Sequence, residues 1–170
     1  MAGDKFLYYA NGRAKEKAAI QSSAGAGDAG KIPALDASGR IDTTMMPVGI
    51  GADTKTITAS EALAAGAVVN VWQSTGAKVR NADATAEGKE AIGFVLSSVS
   101  NGASATVYFE GTITGLSGLT EGARYYLSAS TPGAVTATPP GSAGNVVQYI
   151  GTAISTTELS FEPDIIATLA

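Results

Sequence analysis

Histidine and cysteine are both absent from the 170 residues. Their absence removes a Ser-His-Asp triad, a cysteine nucleophile, histidine general-base chemistry, haem ligation by histidine, Cys/His zinc sites and disulfides. Carboxylates, lysines, tyrosines and hydroxyls remain. Gly25-Ala26-Gly27-Asp28-Ala29-Gly30 spells the G-x-G-x-x-G dinucleotide fingerprint. That motif works between a buried strand and a helix whose N–H groups meet the pyrophosphate. Here Glu16–Gln21 precedes it and Lys31-Ile32-Pro33 follows, and neither supplies such an element. Asp36, Ser38, Asp42 and Asp53 offer oxygen ligands without the spacing of a twelve-residue calcium loop. Asp36–Gly39 reads instead as a turn, with Asp36 accepting local N–H bonds and Gly39 free to take a positive φ. Glu87, Glu90 and Glu110 are the acids a glycosidase would pair, but nothing sets them in a cleft, and the single Trp72 is a poor sugar platform. The expectation is a non-enzyme with no catalytic residues, no cofactor and no metal.

Residues suited to contact are more prominent. Phe6, Leu7, Tyr8 and Tyr9 form one cluster, and the cations Arg13, Lys15 and Lys17 follow. Ile20, Ile32, Leu35, Ile41, Met45 and Met46 come singly after that. The cationic trio reads either as a contact for an acidic partner surface or as a solvated stretch. Apolar anchors this sparse cannot make a core, and they are expected to bury one at a time on another surface. Tyr125 and Tyr126 are adjacent on an expected strand, so one ring points in and one out. Trp72, Tyr125, Tyr126 and Tyr149 are the candidates for contact between subunits. Charged residues are only 15% of the chain, against roughly 25% in ordinary soluble domains; a pale surface of this kind is what neighbouring subunits cover. Residues 51–170 carry 5 basic and 10 acidic side chains, which argues against a nucleic-acid role. No apolar run is long enough for a transmembrane helix, so no membrane role is expected. Met1-Ala2-Gly3-Asp4-Lys5 lacks a secretory pattern.

These residues divide between two regions. Residues 1–52 read as an extended N-terminal arm, with two possible turns of helix in Arg13–Ile20 on propensity alone. Met45-Met46-Pro47-Val48-Gly49-Ile50-Gly51 reads as extended, because Pro47 disfavours helix before it. The arm is expected to be disordered when free. Residues 53–170 read as a β-domain. Strands are expected near Thr56–Thr58, Ala67–Trp72, Lys78–Arg80, Ala91–Ser97, Ala105–Glu110, Thr112–Thr114, Arg124–Ser128, Ala134–Thr136, Val146–Ser155 and Glu158–Phe161, separated by Gly, Pro and Asn turn signals. Val69 and Val71 alternate against Val68, Asn70 and Trp72; Val107 and Phe109 alternate against Tyr108. Ser60–Gly66 reads as one helical turn capped by Ser60.

The β-region also repeats itself. Thr56-Ile57-Thr58, Leu63 and Gly66-Ala67 reappear at a constant offset as Thr112-Ile113-Thr114, Leu119 and Gly122-Ala123. Ile92-Gly93 parallels Ile150-Gly151, and Phe109-Glu110 parallels Phe161-Glu162. The expected fold is all-β: a small barrel or sandwich built from two like halves about a pseudo-two-fold axis, residues 54–110 and 112–162.

Glu121-Gly122-Ala123-Arg124-Tyr125-Tyr126-Leu127-Ser128, Pro132-Gly133-Ala134-Val135-Thr136, Pro139-Pro140 and Ile150-Gly151-Thr152-Ala153 resemble a module of tailed-bacteriophage structural proteins. Leu35–Asp42 and Met45-Met46-Pro47 look like the linkers that precede such modules. Ala65–Val71, Glu90–Val95 and Val107–Gly111 are similar to capsid decoration, or cement, proteins. The resemblance spans roughly residues 31–165, and its motifs are structural. It implies a β-barrel on the outer face of a capsid and an extended segment across the shell. The implied partners are the major capsid protein and other copies of the chain, with a trimer favoured. The implied location is the virion, after synthesis in a bacterial cytoplasm. Fibre and tail proteins reuse the module, so the alternative is a tail fibre, head fibre or baseplate component that displays the β-domain to host glycans.

Overall fold

The structure, a computed structural model, describes residues 5–46 and 52–170, except the side chain of residue 165. The expected extended run over residues 47–51, and Met1–Asp4 at the N-terminus, lie outside the described residues. The chain divides into two compact units, Met1–Gly51 and Ala52–Ala170.

In the first unit, β1 (Lys5–Ala10) and β2 (Arg13–Ala18) form an antiparallel hairpin. The helical turns expected over Arg13–Ile20 are not there. Asn11 (φ 54) and Gly12 (φ 73) make the two-residue connection, and an Asn-Gly pair with both φ positive twists in the sense that adjoining strands require. Tertiary pairing overrides the helix propensity of Arg-Ala-Lys-Glu-Lys-Ala. Further on, Ile20 bridges Pro33 in parallel, and short 3-10 turns occupy Ala26–Asp28 and Thr43–Met45. The expected turn at Asp36 is present: its Oδ1 accepts from the N–H groups of Ser38 and Arg40 at 2.8 and 2.9 Å, and Gly39 has φ 74. The unit is thus a hairpin followed by locally bonded turns, not one extended strip.

The second unit is all-β. Its first half holds β3 (Thr54–Ala59), β4 (Val68–Ser74), β5 (Gly76–Asn81), β6 (Gly93–Phe94) and β7 (Ser104–Tyr108). Its second half holds β8 (Gly111–Ile113), β9 (Arg124–Leu127), β10 (Val135–Thr136), β11 (Val146–Ala153) and β12 (Leu159–Thr168). Each of the ten expected strands is present. The first half pairs in the order β3-β7-β6-β4-β5, and the second in the order β8-β12-β11-β9-β10. Strand for strand the orders are identical. The halves differ at the seam: β3 and β5 pair in parallel (Thr58↔Lys78, Ala59↔Val79) and close the first half into a barrel, whereas the second remains an open sheet. The turn expected to be helical at Ser60–Gly66 is instead anchored by Leu63 bridging Val99.

The duplication extends to single bonds. Gly66 N–H reaches Val95 O at 2.9 Å, and Gly122 N–H reaches Ala153 O at 2.8 Å. Gly66 and Gly122 have φ 76 and 75. Two cores result. Ile57, Val69, Val79, Val95 and Val107 fill the barrel. Val68 and Phe94 point the other way and pack on Ile113, Tyr125, Leu127, Ile150, Leu159 and Phe161 of the second half. Phe94 stacks on Tyr108 with centroids 5.4 Å apart and meets Phe161 edge-on at 5.2 Å. Alternation at the start of β4 therefore sends Val69 into one core and Val68 into the other, so that both faces of the strand are buried over Val68–Asn70 before it emerges at Gln73 and Ser74.

Candidate functional surfaces

The N-terminal hairpin sorts its side chains by the two-residue period of a strand. Phe6 opposes Lys17, Tyr8 opposes Lys15, and Ala10 opposes Arg13. One face thus carries Phe6, Tyr8, Arg13, Lys15 and Lys17. The other carries Leu7, Tyr9, Ala14 and Ala18, with its charges paired as Lys5–Glu16 at 2.5 Å. Among the described residues, no ion pair involves the three cations of the first face. Leu7 is 76% exposed and Tyr9 77%; Tyr8, Ile32, Leu35, Ile41 and Met46 are exposed as well. Phe6, Ile20 and Met45 are intermediate. No residue among 5–46 is buried, the large apolar side chains of the segment included.

Local carboxylates in this unit serve turns. A hydrogen bond from Lys31 and one from the Ala24 N–H hold the Asp28 carboxyl below 3.8. Bonds from Thr44 do the same for Asp42, which caps the Thr43–Met45 turn. Within Gly25–Gly30 only Ala26–Asp28 forms a 3-10 turn, the strand before it, β2, is exposed throughout, and no α-helix follows, so the nucleotide-like letters lack the setting that gives them meaning.

In the second unit the four aromatic candidates separate. Tyr125 is only 6% exposed, its ring is in the core, and its hydroxyl accepts from the Thr120 N–H at 2.9 Å. As a contact between subunits it is corrected: it is a core residue. Trp72 is half-buried, donates from Nε1 to Ser60 Oγ at 3.0 Å, and has the Arg80 guanidinium 4.9 Å from its ring centroid. Tyr126 and Tyr149 are brought together. They are register partners on β9 and β11, and their rings meet edge-to-face at 6.1 Å and 72°.

Around this pair the sheet forms a pocket of about 320 Å³ lined by Arg124, Tyr126, Val147, Tyr149, Thr152 and Asp164. Pairing register explains the set. Tyr126, Tyr149 and Asp164 lie in one row across β9, β11 and β12, and Arg124 opposes Thr152 in the next. A register shift between Tyr149 and Gly151 lets Tyr149 and Thr152 share a face, and their hydroxyls bond at 2.7 Å. Bulges of this kind re-aim side chains next to binding sites. Arg124 shares the face of Tyr126 by simple alternation and was open to sequence reasoning. Thr152 and Asp164 were not, because bulges and cross-strand register are not written in local sequence.

Glu87 accepts from the Thr168 hydroxyl and Glu90 from the Gly88 N–H. Among the described residues no group of three or more acidic side chains is placed to hold a metal ion. No family model, curated protein or solved structure matches the chain.

Proposed function

We propose that the chain is a structural virion protein that decorates a bacteriophage capsid, with Met1–Gly51 as the gripping element and Ala52–Ala170 as the displayed body. One observation carries the reading. The second unit has two apolar cores of its own, whereas no described residue of the first is buried and seven of its large apolar side chains stand exposed. A segment of that composition gains stability by covering its side chains on a neighbour. Each such side chain contributes about 1.5–3 kcal/mol when fully buried. The cationic-aromatic hairpin face suits an acidic patch on the major capsid protein or on another copy. Many weak grips then add through multivalency, so that shell subunits under outward pressure separate less readily.

Copy number in purified virions tests the assignment. A count matching the repeated symmetry sites of the shell supports decoration. A count matching a single tail supports the alternative, a fibre or baseplate component.

A further inference from the structure

The two halves use equivalent faces differently. At offsets of 56 on the first strand of the pair and 58 on the second, Val68 and Phe94 correspond to Arg124 and Thr152, and both are register pairs. On the same offsets Asn70 and Ala91 correspond to Tyr126 and Tyr149. The four positions of the first half are buried. In the second half the same positions form the wall of the pocket, and none of them is buried. In the first half Val68, Ala91 and Phe94 are core residues and Asn70 is a buried amide bonded to Glu90 O and Arg80 Nε; the second half carries a guanidinium, two phenol rings and a hydroxyl there.

We propose that this pocket binds one unit of a saccharide. Its volume, about 320 Å³, lies at the lower end of small-ligand sites. The lining alternates two kinds of group. Tyr126 and Tyr149 offer ring surface against which the C–H face of a pyranose packs. Arg124 offers fixed donors, Asp164 acceptor oxygens and Thr152 either. A polyol satisfies donors and acceptors together, because each hydroxyl is both. An anionic ligand would meet the Asp164 carboxylate and a unit with 10 acidic and 5 basic residues, and an apolar one would cover the exposed Arg124 guanidinium without offering it an acceptor. The inference rests on the second unit alone and does not depend on what the N-terminal hairpin grips.

The test uses the full chain. Saturation-transfer NMR for binding and amide nitrogen–proton correlation spectra for its location are run with methyl glycosides of glucose, galactose, mannose, rhamnose and N-acetylglucosamine, and an array of bacterial surface polysaccharides extends the search. The expected result is binding by at least one probe, with amide shifts confined to Arg124–Tyr126, Val147–Thr152 and the neighbourhood of Asp164. Tyr149→Ala and Tyr126→Ala each weaken it about tenfold, while Tyr9→Ala in the other unit leaves it unchanged. The proposal is overturned if no probe binds or if the wild-type shifts map elsewhere. It is equally overturned if the tyrosine variants abolish self-association of a chain indifferent to sugars, since the occupant is then a second copy.

Discussion

Gln148 binds both backbone polar groups of Ala91. Its Oε1 accepts from the Ala91 N–H and its Nε2 donates to the Ala91 carbonyl, each at 2.8 Å. Gln148 lies in β11 of the second half and Ala91 just before β6 of the first. The side-chain amide thus does the work of a missing strand partner across the junction of the repeats, and it is itself 3% exposed.

Gln148→Leu keeps the volume and removes both bonds. It leaves two buried backbone groups unpaired, which costs about 1–3 kcal/mol. Denaturant unfolding should show a lowered midpoint with an unchanged slope. An unchanged midpoint would mean that water replaces the amide and that the junction is not sealed.

The paired glycines Gly93 and Gly151 give a second test of the duplication. A Cβ on Gly93 would lie 2.6 Å from Tyr108 O, and one on Gly151 would lie 1.8 Å from Ser160 O. Tyr108 and Ser160 each precede the repeated Phe-Glu pair, so the close approach is a property of the repeat. Neither glycine needs a positive φ; the neighbouring backbone excludes the methyl. Gly93→Ala should destabilise by about 1–3 kcal/mol as overpacking does, and Gly151→Ala by more. Equal stability of either variant with wild type would show that the strands part easily.

Ten strands of the β-unit were legible because period-two alternation and Gly-Pro-Asn punctuation agree there. Three things were not. The hairpin at Lys5–Ala18 was not expected: helix propensity over Arg13–Ile20 pointed to helical turns, whereas the Asn11-Gly12 turn pairs the segment with Lys5–Ala10. The last strand was expected to stop at Phe161, yet it runs to Thr168 with Pro163 at the register shift opposite Tyr149–Gly151. The tyrosine pocket depends on that same irregularity, which only the assembled sheet displays.

The hairpin turn supplies a prediction of its own. Gly12→Val places a β-branched side chain at φ 73, where L-residues lose roughly 1–2 kcal/mol. Amide exchange over residues 5–18 should quicken while the melting transition of the β-unit stays where it is. Protection that survives the substitution would show that contacts other than the turn hold the hairpin.

Asp83 links stability to acid. Burial pushes its carboxyl up, but bonds from the Thr85 backbone and side chain and from Lys89 outweigh this and hold it below 3.8. A folded-state value below the unfolded one stabilises the fold fully above the ordinary carboxylate range. That contribution is lost as pH falls through the lowered value. Stability of wild type should therefore fall between about pH 5 and pH 2 more steeply than that of Asp83→Asn. Parallel pH profiles for the two proteins would remove Asp83 from the account.

The division between gripping element and displayed body is tested most directly by co-sedimenting expanded capsids with the full chain and with residues 47–170. The β-unit contains both cores, so the shortened protein should keep its cooperative melt. The full chain should saturate the shells, and the shortened chain should stay in the supernatant. Full occupancy by the shortened chain would contradict that division.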